Sequence, residues 1–255
     1  MTSPTNNGSH DDPPARGTSK RGRVDGVKRV HVASGIRMDL AANEDEYLEE
    51  MAAHHVSGHL KVAPEHVSED VLNNMKKPPV DSFDEFAERF LAASARAGKE
   101  QYLVPYFIAS HPGSGVEEMI DLAVFLKARG YKPLQVQDFI PAPMDVATCM
   151  HFTGLDPMTM KPVKTVQRLS DRKVQRALMQ FFLPENWFTV RRALVEAGRE
   201  DLIGSGRECL IPSNPPKEAI AARRRAADAK LRGGGKKRGG ARPRSKGRSG
   251  GSARG

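Results

Sequence analysis

The chain has 255 residues with 40 Lys and Arg against 31 Asp and Glu, a net charge of +9, and only two cysteines. Two thiols exclude a disulfide scaffold and fit a reducing cytoplasm. No apolar run approaches the ~20 residues of a membrane span, and the first residues lack a signal-peptide apolar region, so a cytoplasmic protein without membrane contact is expected. The positive charge is not spread evenly. Residues 217–255 hold 14 Lys and Arg against two acids, whereas residues 1–216 hold 26 against 29.

Residues 1–23 are polar and rich in Pro, Gly, Ser and Asn, and are expected to be disordered. From about Lys28 the chain alternates between two textures. Four apolar, β-branched runs each end in polar, Gly or Pro residues: Val30–Leu40, His59–His66, Tyr102–Gly113 and Leu134–Pro143. Helical sequence separates them. Asn43 is a candidate N-cap for a helix to His55, and Gly58 ends it. A short helix starts at Ser68 and stops before Pro78 and Pro79. Ser82 and Glu85 have capping-box spacing ahead of an apolar stripe of Phe86, Phe90 and Leu91. A second box, Ser114 to Glu117, opens a helix whose apolar positions are Met119, Ile120, Ala123, Val124 and Leu126.

Strand, polar loop and helix repeated four times predict an α/β fold, a partial parallel βα barrel, since eight units need ~250 residues. The pattern is wholly helical from Ser170 to about Ala197, in two pieces divided by Pro184, with Trp187 and Phe188 inside. The expected organisation is a disordered segment over 1–23, the partial barrel over 24–165, a C-terminal helical extension over 166–216 and a basic Gly/Arg/Lys/Ser tail over 217–255.

In parallel βα arrays ligands collect beyond the C-terminal strand ends. Ser34, Arg37, Asp39, Glu65, His66, His111 and Pro141 fall there. Arg37 can grip a carboxylate and Asp39 a ribose hydroxyl, or the two can simply pair and order their loop. Glu65 and His66 are candidate acid, base or clamp residues, with a plain surface loop as the alternative. The loop His111-Pro112-Gly113-Ser114-Gly115 enters a helix, where free amides can bind an anion; a tight turn needs its glycines for steric reasons alone. His54, His55, His59 and His66 invite a metal reading, but Gly58 interrupts the helix between them, and no metal site is expected. Cys149 and Cys209 read as packing residues rather than nucleophiles. The basic tail offers weak, nonspecific nucleic-acid affinity, with no aromatics to add stacking.

Taken together, SGIRMDLA, HLKVAPEHVSEDVLNNMKKP, QYLVPYFIASHPGSGVEEM, VQDFIPAPMDVATCMHFTG and PENWFTVRRALVEAGREDLIGSGRECLIP resemble, in order, the C-terminal part of YgiQ-type radical SAM proteins, from about Val24 to Pro212. The resemblance implies strands three to six of a (βα)6 barrel. It implies S-adenosylmethionine and a [4Fe-4S] cluster as cofactors, with Ser34, Arg37, Glu65, His66, His111 and Gly113 facing S-adenosylmethionine or substrate. The Cys-x-x-x-Cys-x-x-Cys loop that binds the cluster in that family has no counterpart here. The resemblance therefore implies a portion without radical chemistry of its own, dependent on a separately encoded N-terminal half as partner. The competing expectation is a non-catalytic polyanion- or RNA-binding protein that acts through its tail.

Overall fold

The computed structural model describes residues 26–41 and 44–234. Three parallel strands, β1 (His59–Glu65), β2 (Tyr102–Ala109) and β3 (Gln137–Asp138), lie in the order β1-β2-β3. The sheet is open, as a partial barrel requires. Of the run Val30–Leu40, expected to carry the first strand, only Ile36 pairs with β1, through a parallel bridge to Val62, and Met38–Ala41 is already helical. The Val32 amide turns instead to the His55 carbonyl at 2.9 Å. An outer segment with no partner of its own among the described residues gains few ladder bonds, so one bridge is what survives of the expected strand.

Alternation along the strands sorts the side chains. Leu60 and Val62 of β1 and Phe107 and Ala109 of β2 are buried, whereas Lys61, Ala63, Tyr106 and Ile108 lie on a partly open face. The buried face carries the helices. Helix α1 (Met38–Ala41) and α2 (Asp45–Glu50), which runs on as a π-helical turn over Met51–His55, pack with α4 (Asp81–Arg96) over β1. Asn43, the expected cap of α2, lies outside the described residues.

Helix α3 (Glu69–Asn74) begins after Ser68 as expected. In α4 the capping box does not form, because the helix starts one residue before Ser82, whose hydroxyl donates to the Pro79 carbonyl at 2.7 Å. The buried stripe of α4 is Phe83, Phe86, Phe90 and Ala93, and Leu91 points outward at 47 % exposure. Spacings of three and four select that face, each fully buried phenylalanine contributing about 1.5–3 kcal/mol.

Helix α5 (Val116–Ala128) covers β2, and α6 (Val146–Thr153) follows β3. Asp145 caps α6 by accepting the Ala147 amide at 3.1 Å. The helical extension consists of α7 (Leu169–Met179) and α8 (Trp187–Glu196), separated by a 3-10 turn at Pro184, with α9 (Lys217–Gly234) beyond. It is not an appendage on a finished domain. Leu178, Met179, Trp187, Val190 and Leu194 share one core with Phe107 of β2 and Leu122 and Leu126 of α5. Among the described residues no helix is long and apolar enough to cross a membrane.

Candidate functional site

Strained backbone lies at the ends of β1 and β2 and in the loop that follows β3. Glu65 closes β1 with φ 67°, Ser110 follows β2 with φ 65°, and Met144 lies in the loop after β3 with φ 65°. None is a glycine, and left-handed non-glycine residues cost free energy that the surroundings must offset. At β1 a register irregularity between Val62 and Glu65 breaks the ladder, and the His66 amide donates to the Pro64 carbonyl at 2.8 Å. That kink brings the Glu65 carboxylate to Lys77 Nζ at 3.4 Å, while the same ammonium donates to the Ala63 carbonyl at 3.1 Å. Burial raises the Glu65 carboxyl above its ordinary value, and Lys77 opposes the rise.

His66 is completely buried. Its Nδ1 accepts the Ser68 amide at 3.0 Å, so in the neutral ring Nε2 carries the proton, and that buried N–H has no partner among the described residues. Burial pushes its pKa down to about 4, against the pull of Glu118 and with a further push from His111. His111 is buried too, its Nδ1–H donating to the Pro112 carbonyl at 2.9 Å. This leaves Nε2 as a lone pair, and burial keeps the ring neutral by lowering its pKa. The ring meets Phe139 edge-on, centroids 5.2 Å apart.

The amides of the loop after β2 are already committed. Gly113 donates to the Lys164 carbonyl at 2.7 Å, Ser114 to the His111 carbonyl at 2.9 Å, and Gly115 to Glu118 Oε2 at 2.8 Å. Glu118 Oε1 is held in turn by Lys164 Nζ at 2.8 Å. The expected Ser114–Glu117 capping box does not form: the Ser114 hydroxyl turns inward to Gln175 Oε1 at 3.3 Å, and glycine at the N-cap leaves only the half in which Glu118 accepts the Gly115 amide. With these three amides satisfied, the steric reading of Gly113 prevails over a free anion cradle. Its φ is 95°, and a Cβ there would sit 2.5 Å from Asn74 Nδ2.

Glu65, Lys77, Ile108, His111, Phe139 and Asp145 line part of one cleft of about 610 Å³, to which the ends of all three strands contribute. A second recess of about 500 Å³ adjoins it through Asn74 and Lys76 and is lined further by Lys161 and Lys164. The structure therefore brings Glu65 and His111 together around the cleft, with His66 buried behind and Gly113 facing the second recess. Ser34 and Arg37 are exposed on the neighbouring segment, and Arg37 Nε pairs with Asp39 Oδ1 at 2.9 Å, the loop-ordering alternative.

Four contributors were not singled out in the sequence. Lys77, Phe139 and Asp145 lie within the quoted motifs but were given no role. Gln175, fully buried in α7, accepts the Ser110 amide at 2.6 Å and donates to the Ser114 carbonyl at 2.7 Å. The expectation for the cysteines fails at Cys149, which is exposed; the inward side of α6 is taken by Ala147, Met150 and His151. Cys209 is half-buried beside the Asp201 carbonyl. The four histidines do not converge as ligands. His54 is exposed, and His55 is buried with Nδ1 donating to the Val30 carbonyl at 2.8 Å. Among the described residues no group of three or more His, Cys, Asp or Glu is placed to hold a metal ion.

Residues 134–254 match a family model described as a domain of unknown function, DUF3362. That match begins just before β3 and takes in α6 to α9. Over longer stretches the chain is similar to UPF0313 proteins. It is 48% identical to one from Clostridium perfringens (strain 13 / Type A) over 191 residues, 74% of this chain and 29% of that protein. Against one from Clostridium botulinum (strain 657 / Type Ba4) the identity is 44% over 194 residues, 75% and 30% respectively. Against one from Methanocella arvoryzae it is 44% over 198 residues, 78% and 33%. The chain thus spans about 30% of the length of the curated UPF0313 relatives it matches.

Proposed function

We propose that the chain forms one side of an S-adenosylmethionine- and substrate-binding barrel of radical SAM type, contributing strands three to six. The observation that carries this reading is the convergence of Glu65, His111 and Phe139, from the ends of three successive parallel strands, and of Asp145, from the N-cap of α6, on one cleft. Its volume lies in the ~300–1,000 Å³ range of small-molecule sites. The lining suits the ligand's chemistry. Glu65 and Asp145 offer carboxylates for an ammonium or ribose hydroxyls, Lys77 a cation for a carboxylate, and Ile108 and Phe139 an apolar wall for a purine. In enzymes of that type S-adenosylmethionine supplies the adenosyl radical. In this chain His111 Nε2 would accept a proton or hydrogen bond, exposed Ser34 and Arg37 would extend the ligand face along the neighbouring segment, Gly113 would face ligand from the adjoining recess, and buried His66 would support the cleft from behind.

The cluster does not fit these residues. An ordinary [4Fe-4S] site takes three or four thiolates, whereas the chain has two cysteines 60 positions apart. The proposal therefore assigns the cluster to a separate polypeptide segment, working with this chain in the cytoplasm. Anaerobic iron–sulfur reconstitution of the chain alone, and of the chain mixed with a polypeptide bearing a Cys-x-x-x-Cys-x-x-Cys loop, tests the assignment. The cluster's visible absorption and retention of S-adenosylmethionine are expected only in the mixture, with retention weakened by Glu65→Gln. A stoichiometric cluster on the chain alone overturns the reading.

A second reading rests on charge. The 14 Lys and Arg of residues 217–255 favour association with polyanions by counterion release. Nucleic-acid binding that weakens steeply with salt is its signature.

A further inference from the structure

Helix α8 puts Phe188 and Trp187 next to Arg191 and Arg192 in a shallow groove of about 430 Å³, closed at one side by Pro215. Phe188, Arg191 and Arg192 are spaced by three and four, so they share one face of the helix. Helix α9 then lays the Arg223 guanidinium over the Phe188 ring, 4.5 Å from its centroid. A guanidinium stacked on an aromatic face is held flat, and its N–H edges stay free for phosphate oxygens. Arg191, Arg192 and Arg223 are all exposed, and Glu196, 3.9 Å from Arg192, is the one acid in the groove. Arg224 and Arg225 follow, both exposed. Beyond α9, residues 235–255 add eight Lys and Arg and no acid.

We infer that the α8–α9 groove is a single-stranded nucleic-acid binding site, in which Arg191, Arg192 and Arg223 engage successive phosphates around Phe188. The inference rests on the polyanion reading of the C-terminal region and moves its centre from the tail to a folded surface. Residues 235–255 have many charges but no aromatic residue. The groove sets exposed arginines around an aromatic ring, and single-strand binders combine basic grooves with aromatic side chains. A membrane surface suits it less well. Three consecutive arginines spread charge around α9, whereas an interfacial helix needs one apolar face.

Fluorescence anisotropy of the full-length chain with a labelled single-stranded RNA, repeated with DNA of the same sequence and across a salt series, tests this. The comparison is between R191A/R192A/R223A and a variant whose Lys and Arg over 236–254 are changed to Gln. Fluorescence of the single tryptophan, Trp187, verifies that the groove stays folded. The triple variant is expected to lose roughly tenfold in affinity and about 2 from the salt slope, at ~0.7 per phosphate contact. The tail variant should keep most of the slope. If the triple variant binds as tightly as the wild type while the tail variant loses binding, the groove inference falls and the tail reading stands. If the wild type does not bind, both fall. Tighter, arginine-dependent retention on anionic phosphatidylserine vesicles than on RNA overturns the nucleic-acid assignment.

Discussion

The side-chain carbonyl of Gln175 accepts the backbone amide of Ser110 at 2.6 Å, joining the helical extension to the strained end of β2. The contact spans 65 residues of sequence and is fully buried. Through it, the loop that presents His111 to the cleft is held by a helix of the DUF3362-matching region. Two other α7 side chains act alike: Arg172 donates to the Phe139 carbonyl, and Arg176 pairs with Asp138 Oδ2 at 2.7 Å. The extension thus positions the loop ends of both β2 and β3.

Gln175→Ala is expected to destabilise the fold by about 1–3 kcal/mol, because it leaves the Ser110 amide and the Ser114 carbonyl buried without partners. Hydrogen exchange should also become selectively faster at residues 110–115, reporting the loop rather than the whole fold. Uniform acceleration across α5 and β1 would contradict a local clamp.

Gly113→Ala places a Cβ against Asn74 at a φ of 95°. A loss of about 1–3 kcal/mol is expected from strain and crowding. Denaturant titration of G113A/N74A should recover only part of it, since removing Asn74 relieves the contact but not the backbone.

His66 makes stability depend on pH. Its folded-state pKa of about 4 lies below the ordinary 6.5, so as pH falls the unfolded chain takes up a proton first. The contribution is fully present above about pH 6.5 and is lost towards pH 4, amounting to about 3 kcal/mol. The lowered His111 acts with the same sign. His66→Asn should flatten the slope of unfolding free energy between pH 6.5 and 4.

Glu65→Gln removes a carboxylate whose ionisation burial opposes. Because a raised folded pKa costs stability as pH rises through it, the substitution should be neutral or stabilising at pH 7 and lose that advantage in acid. Chemical denaturation at the two pH values checks the sign. A stability gain alongside weaker ligand retention would mark Glu65 as kept for binding rather than for folding.

Phe86→Ala opens a cavity beneath β1, where Phe86 and Phe90 stack with centroids 6.1 Å apart. A loss of about 3–5 kcal/mol in denaturant unfolding is expected, far above that of Leu91→Ala on the exposed side of the same helix.

The repeating texture of the sequence was enough for the parallel βα order, since apolar runs of strand length and stripes at spacings of three and four are local patterns that each element must satisfy by itself. It also marked Glu65 and His111, because strand ends are where ligand-binding residues gather. Local pattern did not separate Leu91 from Phe83, or decide which residue caps α5, because those outcomes depend on what each side chain meets across the fold. Ser114 is an N-cap by spacing, yet Gln175, 61 positions away, draws its hydroxyl inward. The same holds for the charge. Composition made the C-terminal region basic, but only the packing of α9 on α8 set Arg223 over Phe188. Sequence by itself determined the periodicities and the places where chemistry concentrates. Tertiary structure alone decided which polar groups were already spent on one another and which remained free, because a hydrogen bond between distant residues leaves no local trace in either.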